Sequence, residues 1–206
     1  MHRRIAIFFA LALGLGTPGL ALAGRLTAVD PLTMTPPLNA TFAPWSCWRN
    51  GTGIICDGER LITWENADTG LTCDGRTVYG TGYEYRRQRR YGDENGLALV
   101  TIQHFSGRDT ISLQPDGSGP TISGGGTFKE EFRYGVPGDL STRTDRYSGV
   151  DVRYNAPGYG LVFHDTGTKM FDIDDNVLML HGQHPVVLDF DGTFAKICDA
   201  FAAIGA

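Results

Sequence analysis

Residues 77–105 read TVYGTGYEYRRQRRYGDENGLALVTIQHF. In the first half, Tyr83, Tyr85, Arg87, Arg89 and Tyr91 recur every second position, so in an extended chain they share one face, while Arg86 and Arg90 fall on the other. Gly92-Asp93-Glu94-Asn95-Gly96 follows, a run of residues suited to a tight reversal. The apolar-rich Leu97–Phe105 then returns along the first segment. A connection this short makes the two strands antiparallel neighbours.

The same grammar extends in both directions. Upstream, Cys47–Arg49 and Ile54–Cys56 flank Asn50-Gly51-Thr52-Gly53, and Leu61–Trp64 is a further short strand. Downstream, Ser106–Asp109 reads as a turn into Thr110–Leu113, and Pro115–Pro120 as a loop. Strand candidates continue as Thr127–Tyr134, Thr142–Tyr147, Val150–Tyr154, Leu161–His164, Lys169–Ile173 and Val177–His181. Asp165-Thr166-Gly167 and Asp174-Asp175-Asn176 read as tight hairpins between the last three. Ser123-Gly124-Gly125-Gly126 reads as a bend or bulge between strands, not a phosphate cradle.

The pattern changes after Pro185. Phe194, Ile197, Cys198, Phe201 and Ile204 mark one face of a helix over residues 191–204, with Asp191 as its expected N-cap. The predicted fold is therefore mainly β: an antiparallel up-and-down meander, either a closed barrel or a strongly curved sheet, with one C-terminal amphipathic helix. Closure is a common answer to the problem of unpaired sheet edges.

The N-terminus carries a different message. Arg3 and Arg4, an apolar run from Ile5 to Leu15, and Ala21-Leu22-Ala23 have the order of a secretory signal peptide, residues 1–23. Residues 24–44, with Pro31, Pro36, Pro37 and Pro44, read as an extended arm, and residues 45–206 as a single β-rich domain. Secretion fits the cysteine count. Four cysteines allow two disulfides in three connectivities. A hairpin turning at Asn50–Gly53 sets Cys47 opposite Cys56. Cys198, on the apolar helix face, is left with Cys73.

Charge narrows the partners. The chain has 18 Lys and Arg against 23 Asp and Glu, a net charge of −5. Removing Arg3 and Arg4 with the signal makes that −7. An acidic protein is a poor match for nucleic acid, and no later apolar run is long enough for membrane insertion. The expected partner is a small molecule or an extracellular protein, and no cofactor is implied.

Candidate chemistry is sparse. His104, His164 and Asp165 are the residues from which a hydrolase or isomerase site would be built, by general-base catalysis near neutral pH. His181 and His184 lie three apart and converge only if Gly182 bends the chain. Tyr83, Tyr85, Arg87 and Arg89 form a stripe able to hold a carboxylate or a sugar. Asp172, Asp174 and Asn176 match the opening ligands of a calcium loop, but Val177 replaces its glycine and Gln183 its closing glutamate, so the reading is a hairpin turn and no metal site.

Val187-Leu-Asp-Phe-Asp-Gly-Thr193 resembles the first motif of haloacid-dehalogenase-type phosphatases, in which Asp189 would be the nucleophile and Asp191 the acid/base. That motif opens an α/β domain, and here only 13 residues follow it. Trp45-Ser-Cys-Trp-Arg-Asn-Gly-Thr-Gly-Ile-Ile-Cys56 and Gly158-Tyr-Gly-Leu-Val-Phe-His-Asp-Thr-Gly167 resemble small exported bacterial proteins of unassigned function. That resemblance implies export and no activity. The sequence thus predicts a secreted, disulfide-bonded β protein, a binding or interaction module in the first instance and a hydrolase or isomerase in the second.

Overall fold

The structure, a computed structural model, describes residues 26–206; the expected signal peptide and its cleavage site lie outside the described residues. Eight antiparallel strands form one sheet in strict sequence order. They are β1 (Ser46–Asn50), β2 (Gly53–Cys73), β3 (Arg76–Gly92), β4 (Ala98–Ser112), β5 (Thr121–Tyr134), β6 (Arg143–Ala156), β7 (Gly160–Phe171) and β8 (Val177–Gln183). Two helices follow, α1 (Pro185–Leu188) and α2 (Phe190–Ala203).

Local chemistry explains the reversals. Cys73 pairs with Arg76 across Asp74 and Gly75, both at positive φ, which is the hairpin turn whose twist matches the strands it joins. Between β3 and β4, Asp93 Oδ1 accepts the amides of Asn95 and Leu97 at 2.9 and 2.8 Å.

Several predicted turns are not turns. Ser106–Asp109 lies inside β4, Asp165–Gly167 inside β7, and β6 runs unbroken through Gly149. The glycines that suggested reversals stand side by side in the sheet. Gly107 pairs with Gly126, Gly149 with Gly167, and Gly167 with Gly182. They form a diagonal crease where the strands come unusually close. At Gly167 a Cβ would lie 2.1 Å from the His181 carbonyl oxygen, and at Gly182 one would lie 2.4 Å from that of Thr166. Both residues have φ in the range that only glycine adopts freely, 132° and 121°. A bulge between Gly125 and Thr127 continues the crease into β5.

The sheet is open: β1 and β8 are its two ends and share no ladder, so it is not a closed barrel. The physical reason is visible at β1. Its outer edge is already hydrogen-bonded to the N-terminal arm, Val29 N to Cys47 O at 3.0 Å and Arg49 N to Thr27 O at 2.8 Å.

One face of the sheet is covered at both ends. The arm crosses one end, where Met34 and Phe42 are buried and Met34 packs with Ile54 and the Cys47–Cys56 disulfide. Helix α2 covers the other end, with Ile197, Ala200 and Phe201 against Val78, Ile111, Ile122 and Phe163. The Cys73–Cys198 disulfide fastens the helix there, spanning 125 residues of chain. Asp189, not Asp191, caps α2, accepting the Gly192 amide at 3.0 Å. Val187 and Leu188 belong to α1, so the segment resembling a phosphatase motif is not a strand.

Candidate functional site: a polar cleft between arm and crease

Strand alternation decides what fills the covered face. Glu84, Arg86, Gln88 and Arg90 of β3 point there, beside Arg60 of β2, Thr101 and Gln103 of β4, Glu130 and Phe132 of β5, and Arg143 and Tyr147 of β6. Between the arm and the crease all of these but Glu84 line a cleft of about 570 Å³, with Pro36, Pro37 and Phe42 on its arm side. That volume falls in the usual range for small-molecule sites, roughly 300–1,000 Å³.

The charges in the cleft are ordered. Glu84 holds Arg60 at 2.6 Å and Arg86 at 2.8 Å, and Arg86 also reaches Glu130 at 3.6 Å. Asp145 holds Arg143 at 2.7 Å. Gln103 donates its amide to Glu130. Burial pushes the Glu130 carboxyl up to about 6, with Arg86 opposing the shift. Burial also pushes the Tyr147 phenol up to about 12, so that it remains a hydrogen-bond donor.

Three polar features are incompletely met by the protein. Arg90, 6 % exposed, donates to the carbonyls of Pro36 and Pro37 and to the Thr101 hydroxyl, but meets no carboxylate within 4.0 Å among the described residues. Gln88, also 6 % exposed, has an Oε1 with no partner. Arg60 Nε is buried without one as well. Buried polar atoms without partners are uncommon, because each carries a desolvation cost of about 1–3 kcal/mol.

The sequence-predicted residues lie elsewhere. Tyr83, Tyr85, Arg87 and Arg89 share the opposite, open face, where Asp57 holds Arg89 at 2.6 and 2.7 Å and Arg87 at 3.4 Å, and Tyr85 donates to Glu59 at 2.7 Å. Arg89 keeps the Asp57 carboxyl below its usual range. His104 stands opposite Arg87 and joins Arg87, Arg89 and Tyr91 around a shallow groove of about 190 Å³.

His104, His164 and Asp165 do not converge. His104 lies on β4 and His164 on β7, four positions from Thr168, the β7 residue in register with His104. Asp165 points to the covered face and is fully buried. It meets His184 Nδ1 at 3.0 Å, Lys169 Nζ at 3.6 Å and the Val186 amide at 3.3 Å. Gly182 does bend the chain, but it brings His184 to the carbonyl oxygen of His181 and not to its ring. Asp172 accepts the amides of Asp174 and Asn176 and the Asn176 side chain, a closed turn. Among the described residues no three His, Cys, Asp or Glu side chains gather as a metal site.

No family model, no curated protein and no solved structure matches this chain. The cleft must therefore be judged on its own geometry. Sequence reading passed over it, although one signal was there. The alternation that sends Arg87 and Arg89 to one face sends Glu84, Arg86, Gln88 and Arg90 to the other, so β3 is charged on both faces. A strand of that kind in the middle of a sheet has to border either water or a polar cavity.

Proposed function

We propose that this protein is an extracellular binding module that takes a small polar molecule into the cleft between its arm and the glycine crease. The observation that carries this reading is the unpartnered Gln88 Oε1, buried in the wall of a cleft large enough for a ligand. A ligand hydroxyl or amine seated in the cleft would give this acceptor its hydrogen bond. The two disulfides fit an oxidising, extracellular setting, and no helix of the described residues is long and apolar enough to cross a membrane.

Binding is favoured over catalysis because the groups in the cleft are fixed by one another. Glu84, Asp145 and Glu130 each face a guanidinium. No histidine lines the cleft. The test is native mass spectrometry of protein recovered from the medium into which its host exports it. The expected result is a small-molecule adduct that is lost in Gln88→Leu. Protein recovered only as the bare chain, with no thermal shift across a panel of common metabolites, would reject the reading.

A further inference from the structure

The charges and unmet hydrogen-bonding atoms of the cleft go further than the existence of a site. Four guanidinium groups, those of Arg60, Arg86, Arg90 and Arg143, line it with one carboxylate, that of Glu130, and two more carboxylates, those of Glu84 and Asp145, pair with the lining arginines from behind. The cleft is therefore cationic within a chain whose net charge is −5. The surplus charge belongs to one residue. Arg60, Arg86 and Arg143 each have a carboxylate, and Arg90 has none. Its partners are two backbone carbonyls and a hydroxyl, all neutral. Burying an ionised guanidinium without a counter-charge is costly, and an anion seated beside it would remove that cost.

Donors outnumber acceptors around the same space. The phenols of Tyr134 and Tyr147 line the cleft, and neither makes a side-chain hydrogen bond among the described residues. Tyr134 stands two residues along β5 from Phe132, which is in register with Thr101 and, through it, with Arg90. The exception is Gln88 Oε1, an acceptor waiting for a donor. An anion with no O–H, such as sulfate or chloride, would answer Arg90 and leave Gln88 unanswered. A neutral sugar would answer Gln88 and leave Arg90 without its counter-charge.

Resting on the binding reading above, we infer that the ligand is a small hydroxylated carboxylate of the sugar-acid class. Its carboxylate sits at Arg90 beside the Tyr134 hydroxyl, and one of its hydroxyls donates to Gln88 Oε1. Arg60 and Arg86, held rigid by Glu84, form the wall and are not the primary anion contacts.

Isothermal titration with glucuronate, glucose and acetate tests this on the full exported chain. Glucuronate should bind at least tenfold more tightly than either of the others, because only it carries both groups. Arg90→Lys should weaken glucuronate binding several-fold, since it keeps the charge but loses the fork. Gln88→Leu should reduce the preference for glucuronate over acetate, and Tyr134→Phe should weaken glucuronate and acetate alike while leaving glucose unchanged. Arg133→Met, on the open face, should change nothing. Gln88→Leu and Tyr134→Phe leave the arm's contacts to Arg90 in place, which keeps the test valid if Arg90→Lys folds poorly.

Glucose binding as tightly as glucuronate would overturn the acid assignment and leave the binding reading intact. So would recovery of a neutral molecule from the native protein. Glucuronate binding that is indifferent to all three cleft substitutions would overturn the placement. If no probe binds and the native protein carries no adduct, both readings fall together.

Discussion

His184 Nδ1 lies 3.0 Å from Asp165 Oδ1, and neither side chain has meaningful contact with solvent. This pair joins the middle of β7 to the start of α1, and its second ring nitrogen faces the His181 carbonyl at 3.2 Å. Lys169 stands between Asp165 and Asp151 and completes the cluster. The contact is a latch for the helical end of the molecule.

Replacing His184 by alanine removes one of the partners of a fully buried carboxylate and leaves a cavity beneath Pro185. The expected loss is about 2–4 kcal/mol, measured by urea unfolding. A change within about 0.5 kcal/mol, the size of an ordinary surface substitution, would show that the latch contributes little.

Glu130 gives a pH signature. Its folded carboxyl titrates near 6 against a reference of 4.5, so between those values the folded state holds more of this proton than the unfolded one. Stability from this group is full below about pH 4.5 and is lost as pH rises through 6, amounting to ~2 kcal/mol. Other groups contribute slopes of their own, so the test is a difference. Glu130→Gln should gain stability relative to the wild type as pH rises from 4.5 to 7. Parallel stability curves for the two proteins would reject the assignment.

The crease predicts a contrast between two glycines. Gly167→Ala drives a methyl group into the backbone of β8 at a φ unfavourable for alanine, at an expected cost of ~3 kcal/mol or more. Gly158 also has positive φ, 76°, but nothing lies within 4 Å of its Cβ position. Gly158→Ala should therefore cost only ~1 kcal/mol. Thermal unfolding of the two variants checks the order, and equal losses would mean that close strand approach is not what the crease glycines provide.

The disulfides should be unequal. Cys47 and Cys56 are separated by 9 positions and Cys73 and Cys198 by 125. In the chain-entropy account the short loop is worth about 2.7 kcal/mol and the long one about 4.9 kcal/mol. Cys73→Ser with Cys198→Ser should accordingly do more damage than Cys47→Ser with Cys56→Ser, since it also frees α2. A milder effect from the long-range pair would contradict the ranking.

β2, β4, β6 and β7 each read as two shorter strands, so local spacing carried not the strand count but the β-rich content, the meander order and the C-terminal helix. These depend on spacing that is complete within about twenty residues. Tyr83 to Tyr91 shows its period of two, Phe194 to Ile204 its period of three and four, and Gly92–Gly96 its reversal, all without reference to the rest of the chain. The cleft and the crease depended on the tertiary structure. A glycine that ends a strand and a glycine that lets two strands press together look alike in sequence, which is why Gly107 and Gly167 suggested turns. Only the ladder sets Gly167 against Gly149 and Gly182. Likewise Arg90 and Gln88 were charged or polar residues on a strand face until the arm folded across β3 and shut them away from water. Exclusion of solvent turns an ordinary surface arginine into a buried cation without a counter-ion, and segments distant in sequence supply it.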